Sequence, residues 1–294
     1  MCIAQDKKVS TALSSYTPFA WEPGRQFTSK FITVSGYQAH YLEAGAGDPV
    51  ILLASPVIIA RSYRSTVNAL AKKYKVLCVE LPGCGRSDLV EEPWTHKNYA
   101  KWVTEFMDAM HIDQAPVIGH SDSGAPVVGL ARFYPTRVSH IILVDVIGVN
   151  APDSLPRLLT ARMIDAFMEL QFSIPGIFQG ALNGFRHTRN FLNQIRVAAV
   201  LDLSEEAAQI TTPTLLGWGR RDWTIPVSCA AKYYKLITSS SVYICSKGCH
   251  NWLIERPEEF LKVVSEFLER PAGSPATVAV TEGCFAERTH SKSD

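Results

Sequence analysis

The stretch Ala115-Pro116-Val117-Ile118-Gly119-His120-Ser121-Asp122-Ser123-Gly124-Ala125 decides how this chain is read. A short apolar run, Ala115 to Ile118, gives way to the hexapeptide from Gly119 to Gly124, and from Ala125 to Phe133 the residues suit a helix. This is the layout of a sharp strand-to-helix turn that lifts one side chain above the edge of a sheet. Such a turn needs small residues two places before and two places after the lifted one, and Ser121 has Gly119 and Ser123 there. Asp122 would put the bulky His120 at the first small position. Ser123, flanked by Ser121 and Ala125, would lie past the turn and inside the helix. Ser121 is therefore the candidate nucleophile. A serine in this setting can equally be a helix N-cap, so the motif needs partners elsewhere in the chain.

Outward from the hexapeptide, continuous apolar runs recur at Val50 to Ala54, Val76 to Val79, Pro116 to Ile118, Ile141 to Val144, Thr214 to Leu216 and Val242 to Ile244. Runs that do not alternate with polar residues suit strands covered on both faces, so the chain is read as α/β, a mostly parallel sheet flanked by helices. Phe31 to Val34 and Ala39 to Glu43, separated by Ser35-Gly36-Tyr37, predict a hairpin that adds antiparallel strands at the sheet edge. Ser65 to Tyr74, Tyr99 to Met110, Val227 to Leu236 and Pro257 to Leu268 have helical spacing of apolar residues.

From Gly148 to Ala208 no strand run appears. Leu155, Leu159, Met163, Phe167 and Leu170 follow one helical face, and Phe191, Leu192, Ile195 and Ala199 follow another. Ile174 to Gly180 is an apolar loop punctuated by glycine and proline. A helical insertion after a strand end is placed to cover a site at the C-terminal ends of the strands. Most of its apolar residues are expected to fill the insertion's own small core, with a minority lining the site. Residues 1–20 and 271–294 are aperiodic and rich in Ser, Thr, Pro, Ala and charge, and are expected to be mobile.

A chain of 294 residues with 47% hydrophobic content can bury one large core. The formal net charge of +1, without a basic run, gives no footprint for nucleic acid or an anionic membrane. The longest nearly uncharged apolar stretch, Pro49 to Ala60, is too short to span a bilayer, and Met1 to Lys8 lacks the apolar core of a secretory signal. A soluble, cytoplasmic protein is expected. Seven scattered cysteines, among them Cys245 and Cys249, form neither a disulfide framework nor a zinc spacing, and no metal or cofactor is predicted.

A serine hydroxyl needs a base to take its proton and a carboxylate to orient that base. After the run Thr214 to Trp218 a turn places Asp222 at a strand end, and after Val242 to Ile244 a loop places His250 at the next. Asp145, at the end of another run, is a substitute for the acid. The order Ser, Asp, His at three strand ends makes Ser121, Asp222 and His250 the candidate catalytic set.

With these residues in place the chain resembles the α/β-hydrolase fold superfamily, in particular its capped serine hydrolase branch of esterases, lipases and carbon–carbon bond hydrolases. The resemblance runs from about Phe31 to Leu268. Besides the turn at Ser121 it rests on Leu81 to Asp88, on Pro213 to Gly219 before the acid, and on Glu255 to Phe260 after the histidine. It implies an α/β-hydrolase core at residues 21–147 and 209–270 and a helical cap at 148–208. In the family two backbone N–H groups hold the oxyanion, one from the residue after the nucleophile and one from a His-Gly segment. Asp122 supplies the first. At the second this chain has Ala54-Ser55-Pro56-Val57, without that pair. Aligned without a gap Pro56, which has no N–H, falls on the donor position, and a shift of one residue puts Ser55 there.

The expected activity is hydrolysis of an ester or activated carbonyl of a small, mostly apolar molecule, with Asp122 and Ser55 as the oxyanion hole. Pro56, Trp223 and Trp252 are expected beside the substrate. Carbon–carbon hydrolysis, lyase or cyclase chemistry on the same triad is the alternative, and a non-catalytic ligand receptor is a reading of another class. The expected partner is a small-molecule substrate; oligomeric state is left open.

Overall fold

The computed structural model of the protein describes residues 27–149, 155–169, 181–182, 184–270 and 278–279. At the sheet edge β1 (Phe27–Val34) and β2 (Tyr37–Ala44) form the expected hairpin. It turns on Ser35 and Gly36, whose φ angles of 50° and 83° are the positive pair that matches strand twist in a two-residue turn. The apolar runs become β3 (Pro49–Leu53), β4 (Lys75–Val79), β5 (Ala115–His120), β6 (Val138–Val144), β7 (Thr214–Gly219) and β8 (Ser240–Cys245). A short β9 (Val278–Ala279) follows. All nine form one sheet in the order β1-β2-β4-β3-β5-β6-β7-β8-β9. Only the two pairings of β2 are antiparallel.

The continuous apolar runs are explained by two cores, one on each face of the sheet. Ile51, Leu53, Leu77, Val79, Val117, Ile141 and Leu143 point to one side. There they meet α2 (His96–Ala109), α3 (Gly124–Phe133) and, further along the chain, the helix at Ser228–Leu236. Val50, Leu52, Val76, Cys78, Ile118, Ile142 and Val144, the alternate positions, point to the other. They are covered by α1 (Arg64–Leu70) and by the helices at Trp252–Glu255 and Pro257–Leu268. In the central strands β3, β4, β5, β6 and β7 successive side chains are thus buried on whichever face they take.

Between β6 and β7 lie α4 (Leu155–Met168), α5 (Thr188–Val200) and α6 (Ser204–Ala208); α7 (Ser228–Leu236), α8 (Trp252–Glu255) and α9 (Pro257–Leu268) complete the chain order. α4 forms where helical spacing predicts it but with the opposite face inward. Leu159, Met163 and Phe167 are 50%, 74% and 76% exposed, while Leu158, Ala161, Asp165 and Glu169 are buried. Leu192 on α5 is exposed as well. The expected apolar packing within the insertion is corrected for these four residues. The reason is that α4 faces two loops with unpaired N–H groups, which carboxylates satisfy and leucines do not. Leu170, the loop from Ile174 to Gly180 and residues 1–20 lie outside the described residues. So do residues 271–294, except Val278 and Ala279. Among the described residues no helix is long and apolar enough to cross a membrane.

One buried charge organises the loop from Leu81 to Asp88. The Glu80 carboxylate accepts from His40 Nδ1 (2.8 Å), Ala60 N–H (2.8 Å) and Arg86 N–H (2.7 Å). Burial opposes its ionisation, but these donors and the His40 charge outweigh it and hold the carboxyl below its ordinary value.

Candidate active site

β5 ends at His120, and the chain passes through a single turn of 3₁₀ helix, Ser121 to Ser123, into α3. Ser121 sits at φ 57°, in the left-handed region that a side chain adopts only when its surroundings impose it. The small residues flanking it are a steric requirement. A Cβ on Gly119 would lie 2.8 Å from the Cα of Gly124 and from the Ser123 carbonyl oxygen. Ser123 is more than small, since its hydroxyl donates to the Leu53 carbonyl (2.7 Å) and accepts the His120 N–H (2.9 Å). It fastens the turn to β3.

The structure brings Ser121, His250 and Asp222 together. Ser121 Oγ lies 3.0 Å from His250 Nε2, and His250 Nδ1 lies 2.8 Å from Asp222 Oδ2. The other oxygen, Asp222 Oδ1, accepts the Ile225 N–H at 2.7 Å. Asp145 is fully buried at the end of β6 and accepts the Gly219 N–H (2.8 Å). Burial and the neighbouring Asp222 charge push the Asp145 carboxyl well above the ordinary carboxylate range. Burial raises the Asp222 carboxyl too, to about 7.

A second chain of hydrogen bonds backs this arrangement. The Ser55 N–H donates to Tyr63 Oη (3.2 Å), Tyr63 Oη bonds His120 Nδ1 (2.8 Å), and His120 Nε2 bonds the His250 carbonyl (3.0 Å). Because a carbonyl only accepts, the His120 proton sits on Nε2, and the Tyr63 proton points to Nδ1. Burial, reinforced by His250, holds His120 well below the ordinary histidine value, so it stays neutral.

This chain corrects the expected oxyanion hole. Ser55 does not offer its N–H, because Tyr63 takes it. The Ala54 N–H is bonded to Val79 O (2.9 Å) in the sheet, Pro56 has none, and the Val57 N–H donates to Ser55 Oγ (3.3 Å). The Ser55 side chain, having accepted that bond, keeps its hydroxyl proton for another acceptor. Leu53 stands beside Gly119 in the sheet register, so Ser55 and Ser121, each two residues further on, leave the sheet edge side by side. Asp122 follows Ser121 directly in the 3₁₀ turn.

The inward face of α4 lies over the triad. Asp165 accepts from the Trp223 N–H (3.1 Å), the Thr224 N–H (2.7 Å) and the Thr224 hydroxyl, all on the loop after Asp222. One helical turn on, Glu169 accepts from the N–H (2.7 Å) and the side-chain amide of Asn251, next to His250. Burial raises the Glu169 carboxyl to about 7. Arg162, half-buried on the same side of α4, acts through its charge on Asp222, Asp122, His120 and His250. Burial, and then the Arg162 charge, hold His250 well below the ordinary histidine value. Among the described residues no group of three or more His, Cys, Asp or Glu side chains is arranged to hold a metal ion.

Beside the turn lies a cavity of about 470 Å³ whose wall includes Pro56, Tyr99, Asp122, Asn193, Gln194 and Val197. Pro56, one of the three residues expected beside the substrate, is part of this wall. Trp252 is not: it is fully buried in the core behind β7, with its ring 5.5 Å from that of Phe260. An indole needs more apolar surface than the site offers, and the sheet face supplies it. Trp223 is 58% exposed and does not belong to that wall. Sequence reasoning missed Tyr63, the hydroxyl of Ser123, Arg162, Asp165 and Glu169. One signal was present: Asp165 and Glu169 are the only acidic residues between Leu155 and Val200.

Comparison with known proteins agrees with this fold. The family model of the α/β hydrolase fold matches residues 49–191. The 2-hydroxy-6-oxo-6-(2'-aminophenyl)hexa-2,4-dienoic acid hydrolase of Metapseudomonas resinovorans is 26% identical over 272 residues, 84% of this chain and 92% of that protein. The 2-hydroxy-6-oxo-6-phenylhexa-2,4-dienoate hydrolase of Comamonas testosteroni is 28% identical over 279 residues, 83% of this chain and 97% of that protein. Among solved structures, the enol-lactonase from Burkholderia xenovorans superposes with a TM-score of 0.70 at 22% identity, covering 82% of this chain and 100% of that one. The chain has the α/β-hydrolase fold, and the two curated relatives named above are hydrolases.

Proposed function

We propose that the protein is a serine hydrolase that attacks a carbonyl carbon of a small molecule through Ser121, His250 and Asp222. The observation that carries this reading is the Ser121–His250–Asp222 chain of 3.0 and 2.8 Å, built on a serine held at φ 57°. The Ser121 hydroxyl donates to His250 Nε2 and passes its proton there as Oγ bonds the carbonyl carbon. His250 Nδ1–H stays on Asp222, whose charge stabilises the imidazolium. The oxyanion is received by the Asp122 N–H and the Ser55 hydroxyl. His250 then protonates the leaving group, and water, deprotonated by the same histidine, releases the acyl group from Ser121.

Arg162 sharpens the substrate class. A half-buried guanidinium whose charge reaches His250, Asp222 and Asp122 favours a substrate bearing a carboxylate over a wholly apolar one. The similarity to dienoic acid hydrolases supports a second reading of the bond cleaved, carbon–carbon in place of ester. The leaving group is then a carbon, and the proton from His250 goes to carbon.

Labelling with a fluorophosphonate probe tests the triad: Ser121→Ala is expected to abolish labelling, and unchanged labelling would overturn the reading. Turnover of p-nitrophenyl esters beside 2-hydroxy-6-oxohexa-2,4-dienoates, followed spectroscopically, decides which bond is cleaved.

A further inference from the structure

Within the hexapeptide one side chain has no part in the proposed chemistry. Asp122 takes part in the proposed reaction through its backbone N–H, while the residue is nine-tenths buried, 9% of it exposed. No described group donates a hydrogen bond to its carboxyl. The other buried carboxyls near the site each have at least one donor: Asp165 has three, Glu169 two, Asp222 has Ile225 and His250, and Asp145 has the Gly219 N–H on one oxygen only. Glu80, further away, has three as well. A largely buried carboxylate without a protein donor is costly unless water or an occupant of the site completes it. Asp122 lies on the wall of the 470 Å³ cavity, so an occupant has access to it.

The cations of the described residues do not fill that role. Arg162 on α4 acts on Asp122 through its charge but forms no ion pair with it. His96 and Lys97, at the start of α2 on the cavity wall, face Glu206 at 3.5 and 4.0 Å. Cys84 and Tyr99, the remaining titratable groups of the wall, are held neutral by burial. Among the described residues, then, the cavity offers no group able to neutralise the carboxylate at contact distance.

We propose that this cavity is a binding subsite for a protonated primary amine, whose N–H groups donate to the Asp122 carboxylate. The inference takes the cavity to be the substrate cavity of the hydrolase proposed above. Arg162 and Asp122 then put a cation and an anion at one site, and a substrate carrying both an amine and a carboxylate meets a complement for each.

Calorimetric titration of the full chain with hexylamine and hexan-1-ol tests this without turnover. The two probes match in length, and the amine stays protonated over the pH range used. At pH 7.5 hexylamine is expected to bind about tenfold or more tightly than the alcohol, the increment of one hydrogen bond between charged groups. Burial raises the Asp122 carboxyl to about 6, so the preference should fall away at pH 5 as the carboxyl takes up its proton. In Asp122→Asn the two affinities should converge at both pH values. Equal affinities in the unaltered protein at pH 7.5, or a preference that survives Asp122→Asn, would overturn the proposal. The pH comparison needs no variant, so a misfolded Asp122→Asn does not remove the test. An intact amine preference with unchanged fluorophosphonate labelling in Ser121→Ala would sink the triad reading alone.

Discussion

Ser121 is held at φ 57° by neighbours that leave it no alternative: the backbone around Gly119, which admits no Cβ, and the hydroxyl of Ser123 bonded to Leu53. A left-handed residue that is not glycine costs about 1–2 kcal/mol, met here by the packing of α3 on β5. On the proposed oxyanion side the Ser55 hydroxyl acts beside the Asp122 N–H. Ser55→Ala keeps the backbone N–H and removes only the hydroxyl, so kcat on a p-nitrophenyl ester is expected to fall about a hundred- to a thousand-fold. An unchanged kcat would mean that the Ser55 N–H leaves Tyr63 during reaction. The base is set by its surroundings. His250 must be neutral to accept the Ser121 proton, and burial together with Arg162 lowers its value well below 6.5. Activity is therefore present above that lowered value and lost as pH falls through it, which places the acid limb of kcat/KM below pH 6.5. Removing the positive charge in Arg162→Gln lets His250 take its proton more readily, so the limb should move to higher pH. A pH profile from 4 to 8 checks the direction.

At the scale of elements, α4 decides how the site is covered. Its outward stripe of Leu159, Met163 and Phe167 has the same periodicity as its inward stripe, so spacing alone cannot say which side is buried. What decides is the target. The loops after β7 and β8 present the N–H groups of Trp223, Thr224 and Asn251, and Asp165 and Glu169 are the side chains that satisfy them. In Asp165→Ala two N–H groups and a hydroxyl lose their acceptor, at about 1–3 kcal/mol for each that stays buried. Hydrogen exchange is expected to speed up in α4 and at residues 223–224 together, with a lower Tm. Faster exchange confined to α4 would show that the helix is not latched to the acid loop.

For the molecule as a whole, the sheet is continuous from the antiparallel edge to β9, and Glu80 joins that edge to the loop carrying Arg86. The Glu80 carboxyl has its ordinary value of 4.5 in the unfolded chain and a lower one in the fold, so its contribution is complete above 4.5 and lost as pH falls through the lowered value. Glu80→Ala strands the His40 and Arg86 donors, and urea unfolding should show a loss of about 3–5 kcal/mol with a flatter dependence on acid. The α/β class, the parallel strands, the edge hairpin and the positions of Ser121, Asp222 and His250 were legible in the chain, because each rests on local information. Apolar runs set strands, the hexapeptide from Gly119 to Gly124 sets a turn, and strand ends set where loops deliver their side chains. The inward face of α4, the burial of Trp252 and the capture of the Ser55 N–H by Tyr63 were not legible. Each depends on which groups from distant segments meet and on which of them lack a hydrogen-bond partner there. The sequence by itself determined the scaffold and the triad; only the tertiary structure decided which donors, acceptors and charges surround Ser121, because satisfying buried polar groups is settled across elements and not within them.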